Sequence, residues 1–362
     1  MKIAVVMTTT KAGGIEQTAV PYAFALRLAG HQVLLVMSRS SPLVVDARAA
    51  GLRVALVSWP WGPWYPTNWL HVRQVRAALR DFRPDAVVAH ASKGLPQARA
   101  ALGHSVPILT RSGSTYEKDI KGLLIADRLI VTSHEMAEVA AGFGADATRI
   151  SVVPNFFLGE PVQHEYTAGP KIRIGSLGRL VRRKGFDVLV EAVATLAERG
   201  INAELAIAGD GSQKEPLAKQ AKERGVSLTL PGWVANAEKG HFLEAIDIFV
   251  CPSRDEPFGN IYIDALKYGL PIITSETVGA RFIFPGGAGA VVVPPDDPAA
   301  LAAAIASLVA DPAKRERIGR AGHDTFRQRF SAEAAAPLLS AAVASAVERF
   351  ADDHGKSTAA KL

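Results

Sequence analysis

Cationic side chains are concentrated in one short segment of the second half of the chain. Residues 178–185 read GRLVRRKG, which places four cations within six positions. Like charges at this density repel one another, and a polyanion bound between them would relieve the repulsion. Arg179 offers a planar fork and Lys184 a point charge, a combination that suits a diphosphate. A solvated basic turn is the alternative interpretation.

Two carboxylates lie further along the chain, eight positions apart. Glu256 stands just before a helix predicted to run to about Tyr268, and Asp264 lies inside that helix. Carboxylates accept hydrogen bonds from vicinal hydroxyls, so one could hold a sugar and the other a ribose. Carboxylates near a helix N-terminus also stabilise the helix dipole, which would make their role structural.

Two glycine-rich loops could bring the backbone close to a ligand. Residues 11–16 read KAGGIE and open a predicted helix, whose first N–H groups attract an anion. Residues 208–211 read AGDG after a predicted strand and leave room for a flat base or a phosphate. The first loop does not match GxGxxG, and a structural turn explains it equally well.

The elements that would position these loops alternate between strands and helices. Continuous apolar runs predict strands at 2–7, 32–37, 54–57, 86–89, 106–109, 129–132, 172–177, 204–208, 227–230, 248–251 and 271–274. Intervening stretches predict helices, among them 16–29, 186–199, 299–308 and 331–350. Strands that are apolar throughout are typical of parallel sheets covered on both faces. Ligands of such sheets bind outside the carboxyl ends of the strands, where these loops lie.

The alternation lapses once, at 156–170, where Gly, Pro and polar residues predict a linker. A length of 362 residues is also too great for one ordinary domain. We therefore predict an α/β protein with two doubly wound, Rossmann-like domains facing across a cleft. The predicted divisions are 1–160, 161–335 and a C-terminal helix and tail at 336–362.

Composition excludes several classes of protein. Hydrophobic residues make up 48% and charged residues 21%, which excludes a disordered chain, and one cysteine excludes a disulfide framework or a thiolate metal cluster. The N-terminus has only five apolar residues before a threonine run, too few for a signal peptide. With no run of about 18 apolar residues, a cytoplasmic protein without a membrane span is expected.

The positive charge and most of the tryptophans lie in the first half. Residues 1–165 hold 17 Lys+Arg against 12 Asp+Glu (+5), and residues 166–362 hold 24 against 23 (+1). Four of five tryptophans lie at 59–69, followed by Arg73, Arg76, Arg80 and Arg83 at helical spacing. Trp59–Arg83 is therefore predicted to contact an anionic membrane or a lipid-linked glycan, not nucleic acid. Alternatively, the tryptophans line a cleft or core and the arginines are only solvated.

In order and spacing these segments resemble the family-four, or group 1, glycosyltransferases of the GT-B fold. The resemblance extends from GGIE at 13–16 to Ile305 and is strongest in GRLVRRKG, AIAGDGSQKEPL, DIFVCPSRDEPFGNIYIDALKYGLPII and ADRLIVTSHEMAE. It implies a nucleotide-diphosphate sugar donor, retention of anomeric configuration, no metal and no other cofactor. It also implies that the C-terminal helix packs back toward the N-terminal domain.

Carried over by position, the resemblance assigns the site residues. Arg179 and Lys184 match the diphosphate pair, while Glu256 would contact the transferred sugar and Asp264 the ribose. His90, after the strand at 86–89, and Arg111 join Glu256 as predicted catalytic residues. The other predicted substrate-binding positions are Gly14, Glu16, Gly209, Val234, Phe258, Gly259 and Asn260. The expected acceptor is a cell-envelope glycan or lipid-linked sugar, with lipopolysaccharide core favoured, at the inner face of the cytoplasmic membrane.

Three positions depart from the family pattern. Asp264 is one methylene shorter than the usual Glu, and Arg281 stands where members commonly carry Glu. Arg111 stands where a histidine is common; it cannot act as a base but could grip an anionic acceptor or the leaving phosphate. A nucleotide-sugar 2-epimerase of the same fold, a catalytically inactive sugar-nucleotide binder and a non-enzymatic sugar-binding protein remain alternatives. A nicotinamide dehydrogenase is disfavoured because GxGxxG is missing.

Overall fold

A computed structural model describes residues 1–10, 18–58, 69–112, 116–166, 171–234 and 236–359. The chain divides into two compact units. The N-terminal unit consists of Met1–Gly159 with Arg329–Leu362, and the C-terminal unit is Glu160–Gln328. Boundaries between the units were predicted after residues 160 and 335, and in the structure they fall after Gly159 and Gln328.

The N-terminal unit contains, within the described residues, one parallel sheet in the order β3-β2-β1-β4-β5-β6-β7. Its strands are β1 (Lys2–Met7), β2 (Gln32–Ser38), β3 (Arg53–Val57), β4 (Ala86–Ala89), β5 (Ile108–Arg111), β6 (Arg128–Val131) and β7 (Ile150–Val152). Its helices up to the linker are α1 (Ala19–Leu28), α2 (Val44–Ala49), α3 (Trp69–Phe82), α4 (Ala91–Leu102), α5 (Glu117–Lys121) and α6 (His134–Gly142). Two hydrophobic clusters cover the two faces of the sheet, as the continuous apolar strands require.

The C-terminal unit repeats this design with a parallel sheet in the order β10-β9-β8-β11-β12-β13 among the residues described. Its strands are β8 (Ile172–Leu177), β9 (Ala203–Ala208), β10 (Leu228–Thr229), β11 (Ile248–Cys251), β12 (Ile272–Ser275) and β13 (Ala290–Val293). Its helices are α7 (Phe186–Glu198), α8 (Lys214–Glu223), α9 (Asn236–Glu244), α10 (Asn260–Lys267), α11 (Val278–Ile283), α12 (Pro298–Ala310) and α13 (Pro312–Thr325). The α/β prediction is confirmed.

The last helix, α14 (Ala332–Ala359), returns to the N-terminal unit and packs against α1. Leu339 and Val343 are fully buried in the core cluster of that unit. Arg128 Nη2 donates to Ser345 Oγ over 2.6 Å, and Arg149 pairs with Asp353. This packing confirms the prediction for the C-terminal helix, which extends nine residues beyond the predicted end at 350.

The same helix bears on the expectation that no segment is long and apolar enough for a membrane span. By length and composition, Ala332–Asp353 meets that criterion, with a third of its tested window buried in the fold. The helix is rich in alanine and leucine because one of its faces packs on the N-terminal sheet and belongs to the core of that unit. Core helices of this kind satisfy the same hydropathy criterion as membrane spans.

Candidate active site

The C-terminal unit places the cationic loop and the Glu256 loop side by side. In the C-terminal sheet, β9 and β10 lie on one side of β8, and β11, β12 and β13 lie on the other side. The strand order therefore reverses between β8 and β11. Segment 178–185 leaves the carboxyl end of β8, and segment 252–259 leaves that of β11. Ligands of doubly wound sheets bind at this point, because the loops on either side diverge and leave a crevice.

Lys184 and Glu256 meet there as a buried ion pair. Lys184 Nζ donates to Glu256 Oε2, and each side chain is only 10% exposed. Each charge offsets part of the cost of removing the other from water. The predicted phosphate cation and the predicted sugar carboxylate, 72 positions apart in sequence, are therefore in direct contact.

Close backbone approach holds the two loops together. Gly185 has φ +66°, and a Cβ atom there would lie 2.0 Å from the carbonyl oxygen of Pro252. Arg254 makes the second connection: its backbone N–H donates to the Arg183 carbonyl over 2.9 Å, and its guanidinium binds both carboxylate oxygens of Asp187. Sequence reasoning missed Arg254, although its place two positions before Glu256 was a usable signal.

Arg179 lies at the start of the cationic loop with its side chain exposed. It forms no hydrogen bond or ion pair with any residue that the structure describes, so its five N–H groups face solvent. Lys184 is engaged with Glu256, whereas Arg179 keeps its full hydrogen-bonding capacity for a ligand. The two predicted diphosphate cations therefore differ in their surroundings.

Gly209 and Val234 were predicted to flank a nucleotide base. A Cβ atom on Gly209 would lie 1.8 Å from the Gly178 carbonyl oxygen, so a side chain is excluded. The Gly209 N–H donates to the Gly232 carbonyl over 2.8 Å, which brings the segment containing Val234 beside this loop. Gly178, Gly209 and Gly232–Val234 thus lie together at the carboxyl edge, next to the cationic loop.

Asp264 is held by a lysine rather than left open. Its Oδ2 accepts a 2.9 Å hydrogen bond from Lys239 Nζ of α9, and the side chain is 12% exposed. Burial raises the pKa of Asp264, and the positive charges of Lys239 and Lys267 oppose that rise. Lys239 was missed by sequence reasoning, since nothing in the α9 pattern marks it. The ribose contact of Asp264 stays a prediction.

The predicted backbone positions lie directly after Glu256. Gly259 is the residue that precedes α10, and Asn260 is the first residue of that helix. Phe258 packs on Phe282, with ring centroids 5.5 Å apart. The Glu256 carbonyl accepts a 2.7 Å hydrogen bond from the Gly279 N–H, so α11 fixes the backbone from which the Glu256 side chain projects.

In the N-terminal unit, a second buried polar group lies at the carboxyl edge of the sheet. His90 follows β4, Arg111 ends β5 and Asn155 follows β7, while Tyr22 belongs to α1. The ring centroids of Tyr22 and His90 are 4.7 Å apart, and Arg111 Nη2 donates to Asn155 Oδ1. We call these four residues the Arg111 cluster. Tyr22 and Asn155 were not identified from the sequence.

His90 is neutral in this environment. Burial, and secondarily the positive charge of Arg111, lowers the pKa of His90 to about 3. Its Nδ1 lies 3.4 Å from the Thr18 hydroxyl. A neutral imidazole with so low a pKa is a weak base at physiological pH, so hydrogen bonding is the chemistry it can offer. The catalytic roles predicted for His90 and Arg111 stay predictions.

Some predicted residues fall outside the described part of the chain. These are Gly14, Glu16 and positions 59–68 of the Trp59–Arg83 region. Within the described ranges, no group of three or more His, Cys, Asp or Glu side chains is arranged to hold a metal ion.

Comparison with known proteins adds to this geometry. The family described as glycosyl transferases group 1 matches residues 163–325, and glycosyltransferase family 4 matches residues 12–157. The lipopolysaccharide core biosynthesis glycosyltransferase LpsD of Rhizobium meliloti (strain 1021) is 31% identical over 271 residues, 72% of this chain and 75% of the relative. LpsE, a glycosyltransferase of the same designation and organism, is 37% identical over 161 residues, 44% of this chain and 46% of that relative. This chain thus aligns with less than half of LpsE.

Among solved structures, Anabaena Alr3699/HepE in complex with UDP and glucose is similar with a TM-score of 0.73. The match covers 98% of this chain and 99% of that one at 18% identity, which supports the fold alone. Two parallel, Rossmann-like sheets with polar loops at their carboxyl edges define the class as the GT-B fold. Within that class, the chain belongs to the group 1 glycosyltransferases, family four. The predicted family is confirmed.

Proposed function

We propose that this chain is a glycosyltransferase that takes a sugar, specifically a hexose, from a nucleotide-diphosphate donor. The observation that carries the proposal is the buried Lys184–Glu256 pair at the strand-order reversal of the C-terminal sheet. A cation for phosphate and a carboxylate for sugar hydroxyls are in contact there, with Arg179 exposed on the same loop. A sugar diphosphate carries phosphates and sugar hydroxyls in one molecule, so a site that binds it needs both protein groups close together.

The proposed reaction breaks the bond between the anomeric carbon and the diphosphate oxygen. Negative charge develops on the departing diphosphate, and the positive charges of Arg179 and Lys184 stabilise it. These cations supply the electrostatic function of a metal ion, so we propose a metal-independent enzyme. Glu256 orients the sugar and stabilises positive charge on its ring. Following the family, the acceptor attacks from the same face, its proton passes to the leaving phosphate, and configuration is retained.

We further propose that the acceptor is a cell-envelope glycan, with lipopolysaccharide core as the favoured type. LpsD and LpsE, whose names specify lipopolysaccharide core biosynthesis, support this acceptor class. The basic N-terminal half is compatible with an acidic glycan. In this proposal the C-terminal unit binds the donor and the N-terminal unit binds the acceptor.

Helix α3 supports a peripheral contact with the inner face of the cytoplasmic membrane. Val75, Leu79 and Phe82 are buried against the sheet, and Arg73 and Arg80 lie on the exposed face. Trp69 at its start is 63% exposed, with Arg73 stacked over its ring at 5.4 Å. Aromatic and basic side chains on one exposed face suit an anionic lipid surface, where each cation contributes about 1 kcal/mol.

Reversing these charges tests the membrane contact. The double variant Arg73→Glu/Arg80→Glu is expected to lower binding to vesicles containing phosphatidylglycerol by about tenfold or more, given the contribution of each cation. Co-sedimentation with anionic and with purely zwitterionic vesicles measures the effect. The matched control is Lys219→Glu/Lys222→Glu on α8 of the C-terminal unit, which should bind as the wild type does. Equal binding of both double variants would contradict the proposed surface.

A thermal-shift screen tests the donor site. UDP, GDP, ADP and CMP are compared with their nucleosides, and one diphosphate is expected to raise the melting temperature by several degrees. A ligand at 100 times its dissociation constant stabilises by about 2.7 kcal/mol, enough for such a shift. Failure of every diphosphate to shift the transition would overturn the proposed function.

A further inference from the structure

The Arg111 cluster holds buried hydrogen-bonding groups that the fold does not use. Arg111 is 3% exposed and His90 and Tyr22 are fully buried. Within the described residues, Arg111 Nε and Nη1 and His90 Nε2 have no hydrogen-bond partner. An unsatisfied buried polar group costs about 1 to 3 kcal/mol and more if charged, so such groups occurring together indicate a ligand.

Another buried arginine of the same unit shows how an arginine with a structural role is satisfied. Arg128 is 6% exposed, and its Nη1 and Nη2 donate to Ser151 Oγ and Ser345 Oγ over 2.9 and 2.6 Å. Only its Nε lacks a partner among the described residues. It begins β6, at the amino edge of the sheet, whereas Arg111 ends β5 at the carboxyl edge. Arg111 forms no ion pair with a carboxylate that the structure describes.

The position of the cluster favours a ligand. Strand order in the N-terminal sheet reverses between β1 and β4, and His90 is the first residue after β4. Arg111 ends the next strand, β5. The carboxyl edge at such a reversal is where doubly wound sheets bind ligands. Three unpaired N–H bonds of Arg111 therefore lie where a substrate is expected.

The unused groups define the chemistry of that ligand. A guanidinium presents parallel N–H bonds that match the two oxygens of a carboxylate or phosphate. When His90 Nδ1 accepts from the Thr18 hydroxyl, Nε2 carries the proton and becomes a donor. The Tyr22 oxygen accepts a hydrogen bond from Arg111, and its own O–H is a further donor. A cation with neutral donors around it is complementary to an anion and not to a neutral hydroxyl.

We propose that the Arg111 cluster binds an anionic group of the acceptor, a phosphate or carboxylate carried by the glycan. This inference rests on the proposed function, since it identifies the acceptor as an acidic or phosphorylated sugar. Arg111 binds the anion, and Asn155 positions the guanidinium by accepting a hydrogen bond from its Nη2.

The test measures binding of three small probes to the full chain, with and without saturating UDP. Glucose 6-phosphate and glucuronate are compared with glucose by ligand-detected NMR titration, which separates the phosphate from the carboxylate. We expect at least one anionic probe to bind about tenfold or more tightly than glucose, as for a charge-assisted contact. Arg111→Gln should abolish this preference, and Arg111→Lys, which keeps the charge but loses the fork, should reduce it.

Arg128→Gln is the matched control, because it also neutralises a buried arginine of the same unit. It should lower the melting temperature and keep the preference for the anion. Equal binding of glucose and both anions by the wild type, or an undiminished preference in both Arg111 variants, would overturn the inference. So would a loss of UDP affinity in Arg111→Lys that equals its loss of probe affinity, because Arg111 would then serve the leaving diphosphate. If no nucleoside diphosphate binds the wild type, the proposed function fails, and the measurement without UDP still decides the anion site.

Discussion

Replacing Glu256 by Gln is expected to reduce glycosyl transfer by about 1,000-fold, comparable to the loss of a strong electrostatic contact in an active site. Glu256 is the carboxylate that the C-terminal sheet brings to the reversal of strand order, and its backbone is fixed by the Gly279 N–H. The amide keeps the shape of the side chain but removes the negative charge that, in the proposed mechanism, stabilises the sugar ring as the diphosphate departs.

Binding of the nucleoside diphosphate should not weaken when transfer is lost. The pair with Glu256 offsets the charge of Lys184 in the free protein, so Glu256→Gln leaves that cation fully available to phosphate. We expect the affinity for the diphosphate to be unchanged or higher. Single-turnover transfer assays and calorimetric titration separate the two effects.

Asp255 provides a matched control for Glu256. It is the preceding residue and also carries a carboxylate, but its side chain is exposed. Asp255→Asn should keep transfer near the wild-type rate. Full transferase activity in Glu256→Gln, or equal losses in the two variants, would remove Glu256 from the proposed mechanism.

Lys184→Met is expected to destabilise the protein by about 3 kcal/mol, because it leaves the buried Glu256 carboxylate without its partner. The same variant should weaken diphosphate binding by about tenfold or more, since a charge-assisted contact is lost and an uncompensated negative charge remains. Urea unfolding and diphosphate titration measure the two effects.

The double variant Lys184→Met/Glu256→Gln distinguishes this explanation from a loss of packing. Removing both charges eliminates the unpaired buried group, so much of the stability lost in Lys184→Met should return. Lys171→Met is the control, because the Lys171–Glu204 pair is 41% and 47% exposed and its loss should change stability by about 1 kcal/mol or less. A double variant as unstable as Lys184→Met would contradict the role given to the ion pair.

Most strands could be predicted because each is a continuous apolar run. Lys2–Met7, Ile172–Leu177 and Ile248–Cys251 have the predicted bounds. The strand predicted at 106–109 instead begins at Ile108 and ends at Arg111, because a polar residue can end a buried strand when it lies at the sheet edge. Two strands, Ile150–Val152 and Ala290–Val293, were missed; the first is short and both are only partly buried.

By itself, the sequence determined the fold class and the family, and it placed the candidate site residues on loops that follow strands. These properties depend on local patterns: apolar runs, glycines at close approaches and motifs of fixed spacing. Only the tertiary structure decided which of those residues meet. The Lys184–Glu256 pair, the lysines around Asp264 and the unpaired N–H bonds of Arg111 depend on which strands are neighbours and which groups find partners. Local spacing does not encode these contacts, because they join residues brought together by packing of the whole sheet.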